Sequence, residues 1–169
     1  MNRQQTILIV EDDPNDQLFI QEAFRANGVV NPIRVENNGR DAIAYLTGEG
    51  RYGDREAFPY PGLILTDLKM PGGDGFMVLE HFKNNPQWAV VPTVVLTASN
   101  DQADVCTAYD LGASSYHQKP RGFESLREQL QILYNYWLTC LVPEVDSTGR
   151  RLSPQTKGKI GERFQCPQK

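Results

Sequence analysis

Four short apolar runs in this chain each end in polar residues, and this recurrence constrains the fold more than any other feature. The runs cover residues 6–10, 63–66, 91–96 and 115–118, and they are followed by Glu11 and Asp12, Asp67, Thr97 and Lys119, respectively. The first run is β-branched and lacks period-2 alternation, which is typical of a strand buried on both faces. Because parallel strands end at one edge of a sheet, we expect the five polar residues to share a pocket there.

Segments with helical spacing alternate with these runs. Apolar spacing, turn residues and capping residues predict helices that end near residues 27, 47, 85 and 111, and a last helix that begins near Phe123. A weaker strand is predicted near residues 33–35, and residues 49–62 hold Gly, Pro and charge without periodicity, which predicts a long surface loop. Five strands alternating with five helices predict an α/β fold, a doubly wound five-stranded parallel sheet in the order 2-1-3-4-5.

Composition favours one folded domain with an appendage. The chain has 169 residues, of which 40% are hydrophobic, and no apolar run approaches the roughly 20 residues of a membrane helix. The N-terminus lacks a secretory pattern, so we expect a cytoplasmic protein without membrane contact.

The charge is distributed unevenly. Residues 1–146 contain 11 Lys and Arg against 20 Asp and Glu, whereas residues 147–169 contain 6 against 1. We expect an acidic body and, from residue 143, a basic disordered tail. The tail lacks helical periodicity and a DNA-binding motif, so nucleic acid is not an expected partner.

The cysteines do not suggest a metal site or a disulfide framework. Cys106, Cys140 and Cys166 are far apart and lack CxxC or Cys/His spacing. We interpret them as free thiols and expect Cys106 and Cys140 to pack against the core.

The acids of the expected pocket need a counter-charge. Two carboxylates about 4 Å apart repel by roughly 4 kcal/mol at an effective dielectric constant near 20, so Glu11, Asp12 and Asp67 cannot all stay ionised without help. Either a carboxyl pKa rises or a cation binds. Oxygen ligands with room left for water and phosphate oxygens favour Mg²⁺ over a full Ca²⁺ cage.

The same pocket has the groups that phosphoryl transfer needs. Asp67 stands alone after a central strand and is the candidate nucleophile. The reaction requires mainly positioning and charge neutralisation, and Lys119 and Thr97 can supply a positive charge and a hydroxyl to phosphate oxygens. Each residue alone is typical of a turn, a cap or the surface, whereas their joint order favours the functional interpretation.

The segments ILIVEDD, LILTDLKMPGGDG, VVLTAS and YHQKP together resemble the receiver domain of two-component response regulators. We assign a receiver domain, with the flavodoxin-like fold that this resemblance implies, to residues 5–142. The resemblance implies that Asp67 is the phosphoacceptor and that the Mg²⁺ ligands are Glu11, Asp12, Asp67 and the backbone carbonyl of Lys69.

The resemblance also assigns roles on the other strands. Thr97 and Lys119 are expected to act on the phosphoryl group, and Thr97 and Tyr116 to be switch residues that move on phosphorylation. The bond between Lys119 and Pro120 is expected to be cis. Lys69 and Ser99 stand two residues after Asp67 and Thr97 and offer no carboxylate or amide to orient a water, so we expect slow self-dephosphorylation and no other enzymatic activity.

The implied partners are proteins. A sensor histidine kinase would donate the phosphoryl group, and a downstream protein or a phosphotransfer protein would receive the signal. The loop at 49–62 and the aromatic helix end with Tyr134, Tyr136 and Trp137 resemble the subgroup that partners phytochrome-type kinases. The aromatic residues also predict a homodimer through the face of the fourth helix, fifth strand and fifth helix.

Two other classes of protein stay open at this point. An aspartyl-nucleophile phosphohydrolase would require a second acid two residues after Asp67, where this chain has Lys69. A flavin-binding domain would require a Ser-, Thr- or Gly-rich loop after the first strand, where acids would repel a phosphate. Turnover of phosphate esters would identify the first class, and a bound yellow cofactor the second.

Overall fold

A computed structural model of the chain describes residues 3–71, 74–85, 88, 91–143 and 145–150. The strands are β1 (Thr6–Val10), β2 (Ile33–Glu36), β3 (Pro61–Thr66), β4 (Thr93–Thr97) and β5 (Ser115–Gln118). The helices are α1 (Pro14–Ala26), α2 (Gly39–Thr47), α3 (Gly75–Asn84), α4 (Gln102–Asp110) and α5 (Phe123–Thr139). All strand pairs are parallel and the order is β2-β1-β3-β4-β5, so the predicted topology is confirmed.

The core explains why the strands lack alternation in the sequence. Successive side chains of β1 point to opposite faces of the sheet, and both faces are covered by helices. Ile7 and Ile9 pack in a cluster with residues of α1 and α5, whereas Leu8 and Val10 pack in a second cluster with residues of α2 and α3. Every residue of β1 and β3 is buried as a result.

Local capping places α1 at the carboxyl edge of the sheet. Asp13 is its N-cap, and one of its carboxylate oxygens accepts hydrogen bonds from the backbone N of Asn15 at 2.7 Å and of Asp16 at 3.3 Å. Pro14 occupies the first turn, where its missing N–H costs nothing. Because only three residues separate β1 from α1, the first turn of α1 lies beside the residues that end the strands.

The segment predicted as a surface loop is partly structured. Residues Gly50–Gly53 form a short 3₁₀ helix, and β3 begins at Pro61, inside the predicted loop. Tyr52 and Tyr60 are buried in the cluster beneath α2. The prediction was wrong for these residues because tertiary packing of isolated aromatic side chains leaves no periodic signal in the sequence.

The predicted disordered tail also needs correction. Residues 145–150 form a turn in which one carboxylate oxygen of Asp146 accepts hydrogen bonds from the backbone N of Thr148 and of Arg150. Gly149 packs on the ring of Tyr60, and a Cβ at this position would overlap that ring. Disorder from residue 143 therefore does not hold for this stretch, and residues 151–169 lie outside the described residues.

Two smaller expectations are wrong. No cis peptide bond occurs in the described residues, so the bond between Lys119 and Pro120 is trans, the form favoured by about 0.5–1 kcal/mol for bonds to proline. Cys106 is exposed, because α4 buries little beyond Ala108. Cys140 is half-buried, and Cys166 lies outside the described residues. None of the described helices combines the length and apolar character needed to span a membrane.

Candidate functional site

The carboxyl edge of the sheet gathers three carboxylates around one ammonium group. Lys119 Nζ lies 2.7 Å from Glu11 Oε2, 2.7 Å from Asp67 Oδ2 and 2.6 Å from Asp16 Oδ2. An ammonium has three N–H donors, and here each one is used by a different carboxylate. The polar residues that follow the first, third and fifth strands therefore lie together in the structure, as predicted.

Burial sets the electrostatics of this cluster. Only 2% of Glu11 is exposed, and its burial raises the pKa of its carboxyl to about 7 although the adjacent Lys119 lowers it. Burial disfavours the charge on Lys119, but hydrogen bonds to Asp16, Asp67 and Glu11 outweigh this and raise the pKa of Lys119 above its ordinary value. The lysine is thus a fixed positive charge in a pocket rich in acids.

Asp67 is held in a defined orientation. Its backbone N donates to the carbonyl of Val10 at 2.9 Å, which extends the pairing of β3 with β1 to this residue. Its Oδ1 accepts hydrogen bonds from the backbone N of Leu68 at 2.5 Å and of Lys69 at 3.3 Å. Its Oδ2 contacts Lys119 Nζ. Asp67 is 9% exposed, and one of its carboxylate oxygens is bonded to backbone N–H groups while the other is bonded to an ammonium group.

Gly75 packs closely against the backbone of Asp67. A Cβ at this first residue of α3 would overlap the backbone oxygen of Asp67 and would lie 2.8 Å from Thr66 Oγ1. Asp74, the N-cap of α3, accepts a hydrogen bond from the backbone N of Met77 at 3.1 Å. The start of α3 can therefore approach the end of β3 only because residue 75 lacks a side chain.

The other expected metal ligands adjoin this cluster. Asp12 is half-buried and follows Glu11 directly, while Lys69 is exposed. Among the described residues, no three His, Cys, Asp or Glu side chains have the geometry of a formed metal site; the acids are gathered around Lys119 instead. The carboxylates of Glu11 and Asp67 nevertheless fit a hard divalent cation, because such ions prefer oxygen ligands and these oxygens already converge on a positive charge.

Thr97 and Tyr116 belong to β4 and β5, which lie on the opposite side of β3 from β1. Thr97 ends β4, is 1% exposed, and its backbone carbonyl accepts a hydrogen bond from the backbone N of Lys119 at 2.7 Å. Its Oγ1 accepts one from the backbone N of Ser99 at 3.4 Å. The hydroxyl of Tyr116 donates to the carbonyl of Ser99 at 3.1 Å, so both expected switch residues are bonded to the loop between β4 and α4.

Sequence reasoning missed Asp16 and the partner of Lys69. Lys69 Nζ pairs with Asp104 Oδ2 at 2.8 Å, and Ser99 Oγ donates to that same oxygen at 2.6 Å. Asp104 lies in the first turn of α4 and Asp16 in the first turn of α1, where acids are ordinary because of the helix dipole. The only signal in the sequence was that both turns directly follow strands expected to line the pocket.

Comparison with known proteins agrees with this fold and site. Residues 7–131 match the response regulator receiver domain family, and the chain belongs to that family. It is 35% identical over 137 residues to response regulator Rcp1 of Synechocystis sp., covering 81% of this chain and 91% of that protein. The resemblance inferred from the four motifs is thereby confirmed.

Solved structures of phytochrome response regulators have the same fold. The phosphorylated cyanobacterial phytochrome response regulator RcpA superposes with a TM-score of 0.77 at 32% identity, covering 83% of this chain and 99% of that one. The Mn²⁺-bound form of Rcp1 gives 0.74 at 35% identity with the same coverage. This chain is therefore a two-component signalling protein similar to a phytochrome response regulator. Its membership of the receiver domain family decides against the phosphohydrolase and flavin-binding alternatives.

Proposed function

We propose that this chain accepts a phosphoryl group from a histidine kinase on Asp67, with Mg²⁺ bound by Glu11, Asp12, Asp67 and the backbone carbonyl of Lys69. The observation that carries the proposal is the convergence of Glu11 Oε2 and Asp67 Oδ2 on Lys119 Nζ, each at 2.7 Å. It supports a site that balances several negative charges next to one reactive carboxylate.

The residues of the site have distinct tasks in this reaction. A carboxylate oxygen of Asp67 forms a bond to phosphorus while the bond from phosphorus to the donor histidine nitrogen breaks, which leaves an acyl phosphate. Lys119 then donates hydrogen bonds to a phosphoryl oxygen, and Thr97 offers its hydroxyl to another. When bound, the divalent cation neutralises charge on the phosphoryl oxygens.

A phosphorylation assay tests this function. The protein is incubated with a small-molecule phosphodonor and Mg²⁺, and its intact mass is followed. We expect the mass to increase by one phosphoryl group and the increase to disappear when a chelator removes the cation. A chain that gains no phosphoryl group with Mg²⁺ present would contradict the proposal.

The lifetime of the acyl phosphate depends on Lys69 in this proposal. The ion pair of Lys69 with Asp104 directs its side chain toward α4, and an ammonium cannot accept the proton of an attacking water. We expect Lys69→Asn to shorten the lifetime severalfold, because an amide can orient that water. Decay of the phosphorylated mass measures the lifetime, Lys69→Arg is the matched control that keeps the charge, and an unchanged lifetime in Lys69→Asn would count against the idea.

Phosphorylation is proposed to be transmitted through the loop between β4 and α4. Movement of Thr97 toward a phosphoryl group would disturb its bond to Ser99, and Ser99 also holds the hydroxyl of Tyr116. Such a change would alter the face of α4, β5 and α5 and so bias a two-state surface. A downstream protein or a phosphotransfer protein would read this surface, in the cytoplasm. The similarity to phytochrome response regulators supports a phytochrome-type kinase as the phosphodonor.

The same face is proposed to form a homodimer. Ile132 and Tyr136 of α5 are 72% and 60% exposed, and they line an apolar groove of about 400 Å³ beside β5. We expect light scattering to give the mass of a dimer and Ile132→Asp to give that of a monomer. Leu18→Asp is the control, since Leu18 is also exposed but lies on α1, outside the face of α4, β5 and α5. A wild-type chain that stays monomeric with and without phosphorylation would contradict this prediction.

A further inference from the structure

Asp16 has no assigned role, yet it makes one of the three contacts of the site lysine. Its Oδ2 lies 2.6 Å from Lys119 Nζ, as close as the carboxylates of Glu11 and Asp67. The Asp16 side chain is 39% exposed and that of Lys119 is 14% exposed. The pair therefore lies at the border between the buried pocket and solvent.

Helix capping does not account for the position of this carboxylate. Asp16 is the third residue of α1 after the N-cap Asp13, the position whose side chain accepts the N-cap N–H in a capping box. Here the backbone N of Asp13 is 3.3 Å from Glu11 Oε1 instead. The carboxylate of Asp16 is directed to Lys119 and leaves the capping interaction to Glu11.

We infer that Asp16 is a positioning residue that holds the charge of Lys119 on the α1 side of the pocket, so that a divalent cation can bind Glu11 and Asp67. This inference rests on the proposed function. Glu11 and Asp67 are shared between Lys119 and the proposed cation, whereas Asp16 is outside the proposed ligand set. Of the three described carboxylates that contact Lys119, Asp16 is thus the one that the lysine can keep when the cation binds. It also neutralises a positive charge that would otherwise repel the cation.

The substitution Asp16→Asn tests this role because it removes the charge and keeps the shape. Without that charge Lys119 pairs more strongly with Glu11 and Asp67 and competes with the cation. We expect the Kd for Mn²⁺, measured from the electron paramagnetic resonance signal of the free ion, to increase roughly threefold to fivefold. A change of this size corresponds to the free energy of a partly exposed ion pair. The rate of phosphorylation by a small phosphodonor is measured in parallel at saturating Mg²⁺, because Asp16 is proposed to act on cation binding and not on the transfer itself.

Two variants serve as controls. Asp13→Asn removes an equal charge three residues away and keeps an N-cap of equal quality, so it reports the long-range effect of charge alone; we expect a change in Kd below about twofold. Asp16→Glu keeps the charge and should keep the wild-type Kd. A larger Kd in Asp16→Asn with wild-type values in both controls supports the inference.

Other outcomes overturn the inference in recognisable ways. Equal Kd values for Asp16→Asn and Asp13→Asn would show a general charge effect. A parallel loss of affinity and of the saturating rate would indicate a structural role, and a loss of affinity above about 100-fold would make Asp16 a metal ligand itself. If the wild-type chain binds no Mn²⁺ and takes up no phosphoryl group, the proposed function fails; if it does both, only the role of Asp16 is in question.

Discussion

Asp67→Asn should abolish phosphorylation by a small phosphodonor while the protein stays folded. The amide nitrogen and oxygen of asparagine cannot replace the carboxylate as a nucleophile, although the residue fills the same space and its oxygen can still accept hydrogen bonds from the backbone N of Leu68. Intact-mass measurement with Mg²⁺ should show one added phosphoryl group on the wild-type chain and none on the variant.

Asp101→Asn is the matched control for this experiment. Asp101 caps α4 and accepts a hydrogen bond from the backbone N of Ala103 at 2.9 Å, and asparagine caps a helix equally well. The control removes the same charge at the same edge of the sheet and should be phosphorylated like wild type. Phosphorylation of Asp67→Asn at the wild-type rate would contradict the assignment.

Gly75→Ala should be the most destabilising change of a single methyl group at the site. Gly75 does not have a positive φ, so the substitution adds steric overlap with the backbone oxygen of Asp67 without backbone strain. Inserting a methyl group into a closely packed position costs about 1–3 kcal/mol, and we expect the upper end because backbone atoms on both sides resist movement. Urea denaturation would measure the loss in the free energy of unfolding.

Gly53→Ala provides the comparison for Gly75→Ala. A Cβ at Gly53 would find the oxygen of Gly48 at 3.4 Å, which is an ordinary contact. We expect its free energy of unfolding to stay within about 0.5 kcal/mol of wild type. If Gly75→Ala were as stable as Gly53→Ala, the close approach of α3 to Asp67 would not be a feature of the folded protein in solution.

The topology was predictable because its determinants are local. The β-branched run before Glu11 and the apolar run before Asp67 indicate buried parallel strands. Because parallel strands end at the same edge of the sheet, the polar residues that follow these runs lie at that edge. Even so, β4 begins two residues later than expected, at Thr93, because an apolar run shows where burial is favourable and not where strand pairing begins.

Features that depend on distant contacts were not predictable. The pairing of Lys119 with Asp16 requires the direction in which α1 leaves β1, which the bond from Asp13 N to Glu11 helps to determine. The turn near Gly149 packs against the ring of Tyr60. Neither contact joins neighbours in sequence, so no periodic pattern records them.

The account depends on the chemical identity of the phosphorylated residue, which can be determined directly. Borohydride reduces an aspartyl phosphate to homoserine, and peptide mass mapping then locates the altered residue. After incubation with Mg²⁺ and a phosphodonor, we predict homoserine at position 67 alone. Homoserine at Asp12, Asp13 or another aspartate, with Asp67 intact, would contradict the account.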